Sequence, residues 1–193
     1  MALTPSTMLA LGTSAPAFTL ENAVDGRFIS LADLADDTAL LVMFICNHCP
    51  FVQHVQGELG RLAGDYAPRG LAIVAINSND LEEYPQDGPD YMKELALSEG
   101  WEFSFLVDET QEVAKSYKAA CTPDFFLFDA GRRLVYRGQL DDSRPSNSVP
   151  VDGADLRAAI DSVLRGKQVS ADQIPSMGCN IKWKPGNEPA YSG

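Results

Sequence analysis

Short apolar runs alternate along the chain with segments whose apolar residues are spaced. Two runs, Leu40–Ile45 and Leu71–Ile76, have the length and continuous apolar character of buried β-strands. Between them, apolar residues recur every three or four positions after Pro50, which is typical of a helix that packs on one face. Proline suits the first turn of such a helix, because its missing N–H would have no intrahelical partner. The pattern predicts two parallel strands joined by a helix.

The same alternation continues through most of the chain. A turn at Asp25-Gly26 between two short strand patterns predicts an N-terminal β-hairpin. In chain order, the remaining predicted elements are strands at Ala17–Leu20 and Arg27–Leu31, a helix at Tyr91–Ser98, a strand at Phe103–Val107, a helix at Thr110–Tyr117, strands at Asp124–Phe128 and Leu134–Leu140, and a helix at Asp155–Leu164. Helix-linked strands followed by a second hairpin predict an α/β fold with a mixed central sheet flanked by helices.

Residues 166–193 form a C-terminal extension rich in proline, glycine and polar residues. A disordered tail would seldom carry as many large apolar side chains as this one does. They are Ile174, Met177, Ile181, Trp183 and Tyr191. We therefore expect the tail to pack back on the rest of the chain. A length of 193 residues fits one domain over 1–193, since domains usually span roughly 100–200 residues.

Composition and charge narrow the possible partners. The chain is 45% hydrophobic and 22% charged, with 15 Lys and Arg against 27 Asp and Glu, for a net charge of −12. Such a chain repels a phosphate backbone, so no nucleic-acid partner is expected. No apolar run reaches the ~18 residues of a membrane span, so no membrane association is expected. The apolar patch Met8–Leu11 has no basic residue before it, unlike a secretory signal, and we expect a cytoplasmic protein.

The chemistry of the chain centres on Cys46 and Cys49, which are separated by two residues between a buried strand and the first turn of a helix. Free N–H groups at a helix start stabilise a thiolate, and a C-x-x-C motif there can have a cysteine pKa well below the usual ~8.5. We expect Cys46 to be the exposed nucleophile and Cys49 the more buried resolving thiol. Cys46 would attack a partner disulfide, and Cys49 would then release the partner.

Two alternatives concern the residues around this pair. His48 either stabilises the Cys46 thiolate or is a solvated loop residue. Cys46 and Cys49 could also be half of a zinc site, but zinc needs four ligands, and the chain has no second C-x-x-C or H-x3-H. We therefore expect no metal site. We also expect no organic cofactor, because no glycine-rich phosphate loop is present and thiol exchange needs none.

Several motifs together resemble the thioredoxin-fold redoxins, and more closely the peroxiredoxin-like branch of the AhpC/TSA group. The matching features are the opening Gly12–Phe18, the strand Leu40–Ile45, the motif Cys46–Pro50, the dipeptide Thr122-Pro123 and the strand Asp124–Asp129. The resemblance implies a thioredoxin-like fold with Pro123 in the cis form, facing the cysteines. It also implies that the backbone of Thr122 is exposed to pair with an extended substrate segment beside Cys46. Asn47, His48, Pro50, Thr122 and Pro123 would support the two catalytic thiols.

The chain departs from the peroxiredoxin pattern P-x-x-x-T-x-x-C. If Cys49-Pro50 is aligned with the family Cys-Pro, Cys46 occupies the Thr position and Val42 the Pro position. If Cys46 is aligned with the family Cys instead, Met43 occupies the Thr position and Ala39 the Pro position.

Two further family features are also missing. Val135 stands where the family has its catalytic arginine, and Arg137 is the nearest candidate. Thioredoxins carry a buried aspartate in the strand before the motif, whereas Ala39–Ile45 holds no acid. The proton acceptor is therefore unassigned.

The two other cysteines are possible additional redox thiols. Cys121 immediately precedes Thr122-Pro123 and is either a third redox thiol or a small buried apolar residue, of which packing is favoured. Cys179 lies in the C-terminal extension, where a tail folded over the domain could bring it near Cys46 as a resolving thiol. An unreactive tail thiol is the alternative.

The leading hypothesis is a thiol–disulfide oxidoreductase that acts on protein or small-molecule disulfides and could form a homodimer. A peroxiredoxin-like thiol peroxidase, which would make peroxides the substrates and give an antioxidant activity, is the first alternative. A metal-binding module of the same fold and a redox-silent binding protein are the others.

Overall fold

The computed structural model describes residues 3–35 and 37–192. Its strands are β1 (Leu3–Pro5), β2 (Thr19–Asn22), β3 (Phe28–Ser30), β4 (Ala39–Phe44), β5 (Leu71–Asn77), β6 (Ser104–Val107), β7 (Cys121–Thr122), β8 (Asp124–Phe128), β9 (Leu134–Gly138) and β10 (Met177–Asn180). Its α-helices are α1 (Pro50–Tyr66), α2 (Pro89–Ser98), α3 (Glu112–Tyr117) and α4 (Ala154–Leu164). Short 3-10 turns lie at Leu31–Leu34, Ala67–Arg69 and Pro85–Asp87. Within these described residues, no helix has both the length and the apolar character to cross a membrane.

Seven strands form a central mixed sheet in the order β3-β2-β6-β5-β4-β8-β9. The inner strands β4, β5 and β6 are parallel. At one side β8 runs antiparallel to β4, and β9 runs antiparallel to β8. At the other side, β2 pairs antiparallel with both β3 and β6. The predicted mixed sheet and both predicted hairpins are therefore confirmed, and the N-terminal hairpin extends the sheet next to β6.

The continuous apolar run of β4 serves both faces of this sheet. Leu41, Met43 and Ile45 belong to the core that α1, α2 and α4 cover, and Leu40, Val42 and Phe44 belong to the opposite core. The second core is closed by α3 and by the N-terminal segment. Because alternate residues of a strand point to opposite faces, a strand buried on both faces has no polar positions, as the sequence predicts.

A second, three-stranded sheet has the order β1-β10-β7 and was not predicted. Its middle strand, β10, comes from the C-terminal extension and pairs antiparallel with both neighbours. The register sets Cys179 opposite Leu3 on one side and opposite Thr122 on the other. The expectation that the tail packs back on the rest of the chain is confirmed, and this sheet brings the tail to the Thr122-Pro123 segment.

Candidate active site

The C-x-x-C motif connects the end of β4 to the start of α1. Cys49 is the residue that caps α1, and Pro50 is its first helical residue. Cys46 is 1% exposed and Cys49 is fully buried. The expectation that Cys46 is exposed is therefore wrong. The motif is covered because the loop that carries Asp87 binds it on one side and β10 contacts α1 on the other.

Thr122 contacts both thiols of the motif. The peptide bond between Thr122 and Pro123 is cis, as expected. The Thr122 hydroxyl oxygen lies 3.5 Å from the Cys46 Sγ, and the Thr122 carbonyl oxygen lies 3.1 Å from the Cys49 Sγ. The chain segment before Pro123 thus lies directly against the reactive groups.

The two motif thiols influence each other's pKa in opposite directions. Hydrogen bonds from the thiols of Cys46 and then Cys179 lower the pKa of Cys49, although burial opposes them. The hydrogen bond with Cys49 raises the pKa of Cys46, and burial and the charge of Asp87 raise it further. The Thr122 side chain and the backbone of Val52 also lower the pKa of Cys49 through hydrogen bonds. These contacts favour Cys49 as the site of the negative charge in the reduced protein.

His48 is held by a buried carboxylate, so its solvated alternative is wrong. The Nδ1 of His48 lies 2.6 Å from Oδ2 of Asp87, and the imidazole stacks on Tyr84 with ring centroids 5.2 Å apart. Asp87 is fully buried. Cys46, His48 and Asp87 each bring one side-chain N, O or S atom to this cluster, and these three atoms lie within 4.8 Å of one another. Asp87 is therefore the buried acid beside the motif that the sequence left unassigned.

The donors of Cys46, His48 and Asp87 are also the kind that bind metal ions. However, the carboxylate of Asp87 already accepts four hydrogen bonds. The backbone N–H groups of Asn47 and His48 donate to Oδ1 at 2.9 and 3.1 Å, and His48 Nδ1 and Asn79 Nδ2 donate to Oδ2 at 2.6 and 2.8 Å. A carboxylate has about four lone-pair sites. A metal at Asp87 would displace donors that hold the motif in place, so the cluster suits a positioning role better than a metal site.

Strand β10 fills the position beside Thr122 where a substrate segment was expected. Cys179 pairs with Thr122 in an antiparallel register, and Asn180 pairs with Cys121. The approach is close: a Cβ atom on Gly178 would lie 2.0 Å from the Thr122 carbonyl oxygen. The expectation of an exposed Thr122 backbone is therefore wrong, because the chain's own tail occupies that side.

Cys121 and Asp124 lie on the two sides of the Thr122-Pro123 segment. The Cys121 thiol donates to the Pro123 carbonyl at 3.6 Å, and burial raises its pKa well above the usual value. These observations favour the packing role of Cys121. Asp124 is fully buried, and burial raises its pKa to about 7.

The family model described as the AhpC/TSA family matches residues 11–137. The chain belongs to the AhpC/TSA family. A relative from Mycobacterium tuberculosis strain H37Rv, Rv2521, is named as a peroxiredoxin. It is 28% identical to this chain over 117 residues, which cover 61% of this chain and 69% of the relative.

Two solved structures place the fold. A crystal structure of an uncharacterized conserved protein from Geobacillus kaustophilus is 57% identical, with a TM-score of 0.94 over 96% of this chain and 98% of that chain. The thioredoxin domain of a thiol-disulfide oxidoreductase from Bacteroides vulgatus is 19% identical, with a TM-score of 0.59 over 79% of this chain and 99% of that domain. The second likeness shows the fold alone. The thioredoxin-like fold and the resemblance to the AhpC/TSA group are confirmed.

The arginine that the AhpC/TSA family places beside its reactive cysteine has no counterpart that contacts the thiols among the described residues. Arg137, the nearest candidate for the family arginine, donates from Nε to the Leu9 carbonyl at 2.7 Å and from a terminal nitrogen to Gln173 at 2.8 Å. Its guanidinium is thus engaged with the N-terminal segment and the tail. The residues that do surround the thiols are Thr122, Asp87 and Cys179, of which sequence reasoning missed Asp87.

Proposed function

We propose that the protein is a thiol–disulfide oxidoreductase whose reaction centre is the Cys46–Cys49 dithiol. The observation that carries this proposal is the placement of both thiols at the start of α1 against one residue: the Thr122 hydroxyl oxygen lies 3.5 Å from the Cys46 Sγ, and the Thr122 carbonyl accepts from the Cys49 Sγ at 3.1 Å. The pKa of Cys49 is lowered and that of Cys46 is raised, so one thiolate and one thiol stand side by side, which is the arrangement that disulfide exchange needs. The family's general chemistry, the oxidation and reduction of thiols, agrees with this centre.

The contacts favour Cys49 as the attacking thiolate, which reverses the order that the motif alone suggests. The Cys49 thiolate attacks one sulfur of a partner disulfide, and the other partner sulfur leaves as a thiolate. Cys46 then attacks the Cys49 Sγ, so that the Cys46–Cys49 disulfide forms as the bond to the partner breaks. The partner is reduced by two electrons, and the dithiol is oxidised by two.

The pair of His48 and Asp87 is the proposed acceptor of the Cys46 proton. Cys46 is the protonated member of the dithiol and must lose its proton when it attacks. Because Nδ1 donates to the Asp87 carboxylate, Nε2 is the basic nitrogen of the His48 ring, and Asp87 would stabilise the imidazolium that forms. One ligand atom each of Cys46, His48 and Asp87 lie within 4.8 Å of one another. A general base acts within hydrogen-bond reach or through one water.

The proposal is tested by a redox titration in glutathione buffers, with differential alkylation and peptide mass spectrometry. We expect the wild type to form a reversible Cys46–Cys49 disulfide. The order of attack is read without Cys179, because that thiol lies beside Cys49 and would compete for it. With a model disulfide, Cys46→Ser/Cys179→Ser should accumulate the mixed disulfide on Cys49, and Cys49→Ser/Cys179→Ser should accumulate little on Cys46. The matched control, Cys121→Ser, removes a buried thiol outside the centre and should behave as the wild type.

Other outcomes would point to other functions. If no Cys46–Cys49 pair forms at any accessible potential, the oxidoreductase proposal fails. Stoichiometric zinc or copper in the purified reduced protein would then favour the metal-binding module, and its absence would favour a redox-silent binding protein. A mixed disulfide that accumulates on Cys46 instead of Cys49 would restore the order of attack that the sequence suggests.

Peroxide reduction is the second candidate, because the chain belongs to a family that includes peroxiredoxins. In this chain, Cys46 stands in the Thr position when Cys49-Pro50 is aligned, and Arg137 is engaged elsewhere. We therefore expect hydrogen peroxide to be consumed no faster than by a free thiol at the same pH. A Cys49-dependent rate well above that reference would establish the peroxidase.

A further inference from the structure

Cys179 touches the proposed reaction centre from the C-terminal extension. The register of β10 sets Cys179 opposite Thr122, whose carbonyl accepts from the Cys49 Sγ at 3.1 Å, and interaction with Cys179 is one of the causes that lower the Cys49 pKa. Cys179 is 3% exposed and belongs to the same apolar core as Cys46 and Cys49. Three cysteines therefore cluster around Thr122, and the pKa of Cys49 responds to the other two.

Several contacts fix the strand that carries Cys179. The hydroxyl of Ser176 donates to the Pro123 carbonyl at 2.6 Å on one side of Cys179, and the N–H of Ile181 donates to the Ala120 carbonyl at 3.0 Å on the other. Farther along, the N–H of Lys182 donates to the Asn79 side chain at 2.9 Å. β10 is thus held before, at and after Cys179, which is more than a chance tail contact would need.

Resting on the proposed function, we propose that Cys179 is a third redox thiol that exchanges with the Cys46–Cys49 disulfide and forms a Cys49–Cys179 disulfide. The sulfur of Cys179 attacks the Cys49 Sγ, so the Cys49–Cys179 bond forms as the Cys46–Cys49 bond breaks. Cys46 leaves as a thiolate and takes up the proton that Cys179 loses. The exchange is isoelectronic and needs no further oxidant.

The electrostatics of the site favour this exchange in the oxidised protein. In the reduced protein, burial raises the pKa of Cys179, and its hydrogen bond to Cys49 and the charge of Cys49 raise it further. Both Cys49 contributions disappear once Cys49 is part of a disulfide, and Lys182 then favours the Cys179 thiolate. The exchange returns Cys46, beside His48 and Asp87, to its reduced form. The tail then stores the oxidising equivalent as a disulfide to α1.

The test uses the full chain with Cys46→Ser, which leaves Cys49 with Cys179 and Cys121 as possible partners. The protein is oxidised with glutathione disulfide, quenched with N-ethylmaleimide in acid and mapped by peptide mass spectrometry. We expect the Cys49–Cys179 cross-linked peptide to predominate. In Cys46→Ser/Cys179→Ser this peptide is lost, and Cys49 should carry glutathione instead. Cys46→Ser/Cys121→Ser is the matched control and should retain the Cys49–Cys179 cross-link.

The inference is overturned if Cys49 in Cys46→Ser carries glutathione while Cys179 remains alkylated, or if Cys49 pairs with Cys121. Should Cys46→Ser lose its native circular dichroism, the wild type provides a second reading. In the oxidised wild type, a cross-linked Cys49–Cys179 peptide found together with the Cys46–Cys49 peptide supports the inference. If the Cys49–Cys179 peptide is absent at every potential, the inference is overturned. The Cys179→Ser variant should still form the Cys46–Cys49 disulfide. If this disulfide forms neither in that variant nor in the wild type, the proposed function itself fails.

Discussion

Asp124 is a single buried residue whose protonation should make its own contribution to stability depend on pH. Burial raises its pKa to about 7, whereas an aspartate in an unfolded chain has a pKa of about 3.9. Between these values the folded state binds more protons than the unfolded state. The contribution of Asp124 to the free energy of unfolding should therefore be highest below about pH 4, fall as the pH rises towards 7, and stay low above it.

Asp124→Asn should remove this loss, because an amide of the same shape stays neutral. Roughly three pKa units at ~1.4 kcal/mol each allow a gain in the free energy of unfolding on the order of 4 kcal/mol at pH 8. We expect no gain at pH 4. Urea denaturation at pH 4, 6 and 8 measures the difference, with Asp172→Asn, an exposed position, as the control. A difference between wild type and Asp124→Asn that does not change with pH would contradict this explanation.

At the residue scale, the sequence identified the reactive pair but not all of its surroundings. The two cysteines of the C-x-x-C motif are only two residues apart in the sequence, so Cys46 and Cys49 could be recognised as a pair without a structure. Asp87 comes from a polar loop 39 residues beyond His48, and nothing in that loop distinguishes it from a solvated aspartate. The exposure of Cys46 could not be predicted either, since it depends on how that loop and the tail close over the motif.

Strand β10 is the element that closes the site, and Gly178 is the position where it approaches most closely. A Cβ atom there would lie 2.0 Å from the carbonyl oxygen and 2.6 Å from the carbonyl carbon of Thr122. Both are backbone atoms and cannot move aside as a flexible side chain would. Gly178→Ala should therefore displace β10 from β7 while leaving the central sheet folded.

We expect Cys49 and Cys179 in reduced Gly178→Ala to react with iodoacetamide at least about 10-fold faster than in the wild type, because their burial depends on β10. Rates for each cysteine come from quenched samples and peptide mass spectrometry. Gly64→Ala, in α1, is the control, since a Cβ atom there meets nothing within 4 Å. Unchanged alkylation rates in a folded Gly178→Ala protein would show that β10 does not limit access to the thiols.

The difference between predicted and unpredicted elements follows from their length and pairing. β4 and α1 are six and 17 residues long, and their apolar patterns identify them from the sequence. β7 and β10 have two and four residues and exist because they pair with each other. Patterns in so few residues carry little information, so the sequence predicted that the tail packs but not that it becomes a strand beside Thr122.

At the scale of the whole molecule, the four cysteines share one closed arrangement. Each is at most 3% exposed, and Cys46, Cys49 and Cys179 belong to the same core. Reaction with a bulky partner therefore requires a local opening, and the tail is the segment whose displacement would expose Cys49. The outer surface determines which partners approach before that opening, and its dominant property is its charge.

The net charge of −12 should make the reaction of small disulfides depend on their own charge. A strongly acidic protein attracts cations and repels anions, and at low ionic strength such steering changes association rates by about 10-fold or more. The dication cystamine should therefore react faster at low salt, and the anion glutathione disulfide should react more slowly. Hydroxyethyl disulfide is neutral and provides the matched reference.

Salt separates this electrostatic effect from the intrinsic reactivity of each disulfide. Because the Debye length falls to about 10 Å at 0.1 M salt, raising the ionic strength should slow cystamine, speed glutathione disulfide and leave hydroxyethyl disulfide unchanged. Stopped-flow oxidation of the reduced protein by each disulfide measures the three rates. The same disulfides are also reacted with dithiothreitol, an uncharged thiol, which gives the reference rate without the field of the protein. If the three disulfides respond to salt alike, approach to the dithiol is governed by the local opening alone and not by the field of the molecule.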